Sequence, residues 1–245
     1  MPLYEEMEKT GNWLFKRRSY LPMTLYIALV LVLWLSPNEL VSYQNLSWCI
    51  ICLLVNFFGI FIRAITIGFT PKNTSGRNTH AQVADVLNTS VIYAHVRHPL
   101  YLGNYFMWLG LLLYVGNFWF VMVVSLIYWL YYERIMLAEE EFLRRKFKNT
   151  YEKWAKNVPA FIPKFQKWKS ANLSFSFRNV LKREYSGLLA SVVSFAFINM
   201  LKNYFYLQQI HLDAFWLIVF AVGTSLAISL RTIKKTTNWL EVAGR

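Results

Sequence analysis

Charge is scarce in this chain. Only 16% of its 245 residues are Asp, Glu, Lys or Arg, where an ordinary soluble domain carries roughly 25%. With 56% hydrophobic and 18% aromatic residues beside it, that shortfall excludes a conventional water-soluble domain. Acids are scarcer still, 13 against 26 Lys and Arg. Cysteine is nearly absent: Cys49 and Cys52 stand alone, spaced CxxC in an apolar run with no histidine nearby. A zinc or dithiol site needs more ligands and a polar, accessible setting. Both therefore read as packing residues, and no disulfide compartment follows. The first twenty residues hold Glu5, Glu6 and Glu8 and lack the apolar core and small-residue cleavage site of a secretory signal. No internal repeat, low-complexity tract or linker divides the chain, so residues 1–245 read as one membrane domain.

What the chain does have is long apolar runs. A bilayer span takes about 20 apolar residues, with a range of roughly 17–25. Six stretches meet or approach that length: about Leu21–Leu35, Leu46–Phe69, Leu100–Val115, Phe118–Ala138, Tyr185–Leu201 and Ala214–Leu230. The expected fold is all-α, an integral membrane multi-helix bundle of about six transmembrane helices, with 185–230 as an added C-terminal helical pair. Only Gly116-Asn117 separates the third and fourth spans, which predicts an antiparallel helical hairpin. The net charge of +13 would suggest nucleic acid in a soluble protein, but no aromatic-plus-basic module or groove-reading motif is present. The basic residues instead collect in 1–20, 70–97, 139–184 and 231–245, and the intervening turns hold only Lys202. By the positive-inside rule this predicts a cytoplasmic N-terminus. It also puts residues 97–98 and 139–164 on one face, against the bilayer surface.

Two polar stretches flank the hairpin. The first, Tyr93–Gly103, reads YAHVRHPLYLG. Arg97, His98 and Tyr101 lie where a polar loop gives way to an apolar helix, and Pro99 suits its first turn. Positive charge and free backbone N–H groups are expected there, a ready site for an anion. Arg97 can grip a carboxylate or phosphate with two hydrogen bonds. His98 can donate or accept near neutral pH. Tyr101 follows at i+3 and shares its face. Gly103 permits close approach of a ligand or a neighbouring helix. Arg, His and Tyr are equally ordinary as interfacial anchors. The second stretch begins at Glu139-Glu140-Glu141, continues through Leu143, Phe147 and Tyr151 at i, i+4 steps, and ends in Val158–Pro163. It reads as a helix laced with ion pairs, as a lipid-surface helix, or as acids that bind a cationic or hydroxylated ligand. Arg63, inside the second span, either snorkels or faces a polar cavity.

Taken together, Val96-Arg97-His98-Pro99-Leu100-Tyr101-Leu102-Gly103 and Glu139-Glu140, Leu143, Phe147, Tyr151 and Pro163 resemble a membrane methyltransferase superfamily. It includes the isoprenylcysteine carboxyl methyltransferases and the phospholipid methyltransferases. The resemblance covers roughly residues 85–165. Lys148 stands where the family usually has Gly, Trp154 replaces a second Tyr, and Val91 occupies another common Gly position. The resemblance implies S-adenosyl-L-methionine, held by His98, Pro99, Tyr101, Gly103, Glu139, Glu140 and Tyr151. It also implies a membrane lipid or lipidated acceptor within the bilayer. Thr74–Thr79 and Leu87–Thr89 are reminiscent of the bacterial branch that methylates lipid A phosphate, which would place the chain in a bacterial inner membrane. Arg63, Arg77 and Arg97 would then gather around the phosphate as catalytic groups. No unambiguous general base accompanies them, which favours an acceptor oxygen already ionised at neutral pH over an amine. An isoprenylcysteine carboxylate, a membrane NADPH-dependent sterol-type reductase and a non-enzymatic scaffold stay open as alternatives.

Overall fold

The computed structural model describes residues 2–36, 45–74, 82–164, 169–171 and 173–245. Arg77 and most of the Thr74–Thr79 loop therefore lie outside the described residues. Within them the chain is all-helical: α1 (Leu3–Arg17), α2 (Leu25–Leu35), α3 (Leu46–Gly68), α4 (Pro99–Val115), α5 (Phe118–Phe147), α6 (Asn149–Ala155), α7 (Phe177–Leu207) and α8 (Ala214–Thr236). Helices α3, α5, α7 and α8 are each long and apolar enough to cross a membrane. The expected six spans become these four, a shorter 17-residue α4, and a bent pair. The bend between Leu3–Arg17 and Leu21–Leu35 is 78°, and the basic N-terminal residues are helical. They form a helix whose Phe15 is buried and whose Gly11 lies against the Arg134 carbonyl of α5.

Local chemistry sets the helix ends. Asn45 caps α3 by accepting from Trp48 N at 2.7 Å, and Asn117 caps α5 by accepting from Phe120 N at 2.8 Å. Gly116, at φ 91°, closes α4 in the left-handed region and allows the two-residue hairpin to α5. Arg144, Arg145 and Lys146 fill the last turn of α5, where cations suit the helix dipole.

Glycines bring α3 and α4 together. A Cβ on Gly103 would stand 2.6 Å from Arg63 Cγ and 2.8 Å from the Gly59 carbonyl oxygen, and one on Gly110 would stand 2.6 Å from the Cys52 oxygen. Small residues are how apolar helices approach closely where no hydrophobic force drives them together. Cys49 and Cys52 are free and buried in a cluster with Leu33, Tyr114, Phe195 and Trp216 at the hairpin end. A second cluster, around Ile62, Tyr101, Tyr128, Tyr132 and Ile135, lies towards the other end.

Helix α7 runs inside the bundle and is no mere addition to it. Asn179 Nδ2 donates to the Ile67 oxygen at 2.9 Å, Asn199 Nδ2 to Tyr114 Oη at 3.0 Å, and Lys202 Nζ to the Tyr114 oxygen at 3.0 Å. Both positions where the chain lacks the family's glycine have positive φ: Val91 at 53° and Lys148 at 47° with ψ −127°. Lys148 is exposed and forms the corner between α5 and α6, so its backbone pays for the turn without recovering buried area.

Lys148→Gly is expected to stabilise the protein by about 1 kcal/mol, as relief of about 1–3 kcal/mol of strain outweighs about 0.5–1 kcal/mol of added chain entropy. A thermal melt in detergent checks it; an unchanged or lowered midpoint would contradict the strain.

Candidate active site

The site is built where the start of α4 meets the outer part of α5. Before α4, the Val91–Ala94 turn leads into an extended stretch that pairs with the segment returning after α6. Arg97 N donates to the Pro159 oxygen at 2.9 Å, His98 N to the Ala160 oxygen at 3.1 Å, and Lys164 N to the His95 oxygen at 3.0 Å. This corrects one expectation: the N–H groups of Arg97 and His98 are not free for an anion, because Val158–Pro163 folds back and takes them.

The side chains form a chain of charge between the two helices. His98 Nε2 lies 2.9 Å from Glu140 Oε1, and Nδ1 lies 3.5 Å from Glu139 Oε2. Arg97 Nη1 pairs with Glu140 Oε2 at 3.2 Å. Tyr101 Oη donates to Glu139 Oε1 at 2.9 Å, with its ring stacked on that of His98 at 5.8 Å. Tyr128 Oη donates to the Tyr101 carbonyl oxygen at 2.7 Å and so holds this first turn of α4 to α5. Both imidazole nitrogens thus face a carboxylate. Burial alone would pull the His98 imidazolium down, but the hydrogen bonds and charges of Glu139 and Glu140 outweigh it and hold the group above its ordinary value.

These residues border a cleft of about 880 Å³, towards the upper end of the roughly 300–1,000 Å³ usual for small-molecule sites. Arg97, His98, Pro99, Tyr101 and Glu139 line it. Glu140 does not; it braces Arg97 and His98 from behind. Gly103 does not either, since it faces α3 and meets a helix, not the cleft. Tyr151 is buried beside Trp154, whose ring lines the cleft and whose Nε1 donates to the Tyr93 oxygen at 3.1 Å.

The far side of the cleft holds Arg63. Its Nε and Nη2 each lie 2.8 Å from one carboxylate oxygen of Glu184, and its Nη1 donates to Asn104 Oδ1 at 2.5 Å. Arg63 therefore faces a polar cavity. Of the expected gathering of Arg63, Arg77 and Arg97, Arg63 and Arg97 line the one cleft, each paired with a carboxylate, and Arg77 is outside the described residues. Sequence reasoning missed Glu184 and Asn104. A lone acid in the first turns of an apolar helix was the available signal for Glu184. Arg97 Nε is buried with no hydrogen-bond partner among the described residues.

Fold and cleft define an integral membrane protein of the helical class with a charged cavity at one end of its bundle. Comparison with known proteins narrows this. Residues 48–150, covering α3, α4 and α5, match the model of the phospholipid methyltransferase family. The chain is also 40% identical over 79 residues to protein-S-isoprenylcysteine O-methyltransferase of Schizosaccharomyces pombe, a match covering 32% of this chain and 33% of that protein. The chain thus spans about a third of the length of the curated relative it matches. No solved structure matches significantly. Both findings support the superfamily resemblance carried by Val96–Gly103 and Glu139–Pro163.

The clamp on His98 has a pH signature. Its folded-state value lies above the unfolded one, so its stabilisation is complete below the unfolded value near 6.5 and is lost as pH rises through the folded value. At the acid end of that window, His98→Gln should cost about 1.5–3 kcal/mol, the worth of hydrogen bonds to a charged group. Melting both proteins from about pH 5 to about pH 9 should show the gap closing as pH rises. A gap that widens would mean that His98 is held neutral.

Proposed function

We propose that this protein is an integral membrane methyltransferase that uses S-adenosyl-L-methionine and acts on an oxygen of a lipid or lipidated acceptor. The observation that carries the reading is the meeting of the Arg97–Tyr101 turn and Glu139 on one cleft, in the segment similar to known methyltransferases. The donor set fits the cofactor. Arg97, on the cleft wall, has a guanidinium whose Nε has no partner among the described residues, and a guanidinium suits a carboxylate. Glu139 can accept from an ammonium or a ribose hydroxyl, and the Tyr93 and Trp154 rings offer faces for a nucleobase or a sulfonium.

When bound, the cofactor supplies an electrophilic methyl group on a sulfonium. The protein's part is to hold the acceptor in line with it and exclude water, an effect of position more than of acid–base chemistry. His98 is engaged by carboxylates on both sides and is a brace, not a base. An acceptor oxygen that is already ionised needs no base.

Charge favours a phosphate or carboxylate. Arg18, Arg63, Lys72, Arg97, Lys182, Arg183 and Arg245 line the cleft against only Glu139 and Glu184 among the described residues. Arg97 and Lys182 also pair with Glu140 and Glu241 from outside the cleft, yet basic groups outnumber acids on its wall, and an anionic headgroup suits that balance. A lipid A phosphate and an isoprenylcysteine carboxylate both meet that requirement. The positive-inside pattern supports a cytoplasmic cleft and N-terminus.

Transfer of a radiolabelled methyl group from the cofactor into membrane lipids, followed by identification of the labelled species, tests the reaction. Protein in detergent should be stabilised by about 2.7 kcal/mol at about a hundredfold excess of cofactor over its Kd. His98→Ala and Glu140→Gln should lose that stabilisation. Undiminished binding in both would remove the site assignment, and no labelled lipid would remove the reaction.

A further inference from the structure

We propose that Glu184 is a positioning residue for the methyl acceptor, contributed by α7, a helix outside the segment similar to known methyltransferases. This rests on the methyl-transfer reading above. Arg63 and Glu184 lie 121 positions apart and line the same cleft as Arg97 and Glu139. Arg63 is five residues from the end of α3, which places it about 7–8 Å inside the bundle. Glu184 is only 5% exposed. A buried carboxylate there is costly unless a fixed partner offsets it, and such pairs seldom exist for stability alone.

The geometry gives the pair a task. A guanidinium has five N–H bonds. Glu184 takes Nε and one from Nη2, and Asn104 takes one from Nη1. One N–H remains on each terminal nitrogen. The carboxylate fixes the plane of the fork from α7 and the amide fixes it from α4, so those two N–H bonds are held in a set direction. They can take two oxygens of a phosphate or carboxylate and leave a third, or the other lone pairs, to receive the methyl group. Gly187, one turn beyond Glu184, has 3.4 Å between its would-be Cβ and Glu184 Oε2 and 3.6 Å to Met107 Cε, so α7 faces α4 here with little bulk between them. The helix that supplies the carboxylate thus forms the acceptor wall of the cleft.

The consequence runs against simple electrostatics. Removing a negative charge beside an arginine should strengthen anion binding. If the carboxylate acts by aiming the guanidinium, removing it should weaken binding instead, by about tenfold to a hundredfold, the worth of one hydrogen bond to a charged group. The probe is n-dodecyl phosphate, an anionic headgroup on one chain, read by thermal shift of purified protein in neutral detergent with S-adenosyl-L-methionine measured in parallel. Glu184→Gln should keep the cofactor shift and lose most of the dodecyl phosphate shift. The double variant Arg63→Met with Glu184→Met replaces the buried pair by apolar side chains, which preserves folding where the single change does not. It should behave the same way. Tighter or unchanged dodecyl phosphate binding in either variant overturns the proposal. So does parallel loss of both ligands in the double variant, which marks the pair as structural, or a wild type that shifts with the cofactor but not with dodecyl phosphate. A wild type that shifts with neither overturns the methyl-transfer reading itself, so the two failures are distinct.

Discussion

The contact between the start of α4 and the outer turns of α5 governs everything around the cleft. It is made of charge: Arg97 and His98 on one side, Glu139 and Glu140 on the other, at 2.9–3.5 Å. Such a cluster is a poor source of net stability, because each group gives up water before it gains a partner. Its value is geometric. Breaking one link leaves a partly buried charge short of a partner, at a cost of about 1.5–3 kcal/mol, so alternative arrangements of the two helices are disfavoured. The segment Val158–Pro163 closes the back of the cluster by accepting from Arg97 and His98 N–H groups. With the backbone donors occupied, the recognition chemistry left to this turn is in its side chains.

That charge cluster depends in turn on apolar packing. Tyr101, Tyr128, Tyr132 and Ile135 form the floor on which it rests. On the opposite wall, the close approach of α3 and α4 through Gly59, Gly103 and Gly110 fixes the register of the two helices. Arg63 and Asn104 then face each other at hydrogen-bond distance as a result of that register. In a bilayer the lipid chains are as apolar as any side chain, so close packing and internal hydrogen bonds, more than exclusion of water, hold helices together. The polar network across α7, from Asn179 through Glu184 to Asn199 and Lys202, follows the same rule.

The sequence made the membrane character, the α4–α5 hairpin and the two polar stretches legible, because each rests on local pattern: apolar run length, a two-residue turn, residues at i+3 and i+4. It misled where distant segments met. The Arg97 and His98 N–H groups looked free because nothing local shows that Pro159 and Ala160 return to them. Arg63 looked like a lone charge because its carboxylate lies 121 residues away. Gly103 was read as approached by a ligand or a helix and, from the resemblance, as a cofactor residue; its Cβ position meets Arg63 and Gly59 of α3. Nothing local in the first 20 residues shows that Gly11 and Phe15 seat a helix on α5. Lys148 and Val91 are instructive in the opposite sense. The sequence showed only that glycine was missing at these positions, and the backbone shows what glycine would have supplied there, a relaxed positive φ.

The two walls of the cleft use arginine differently from its rim. Arg63 and Arg97 are each matched by a carboxylate, so much of their long-range field is cancelled while the fork of N–H donors remains. A matched guanidinium is a directional donor with little charge of its own to advertise. Lys72 at the rim is exposed, and Arg245 is bound to carbonyl oxygens of Gly68 and Ser174 and keeps its charge. For the anionic headgroup proposed above, attraction would fall to such groups, over distances up to a Debye length of about 8–10 Å, and orientation to the paired ones. On the methyl-transfer reading proposed above, this division would let the site take a cationic methyl donor and stay basic overall, with Glu139 and the paired Arg97 towards the donor and the exposed positive charge at the margin.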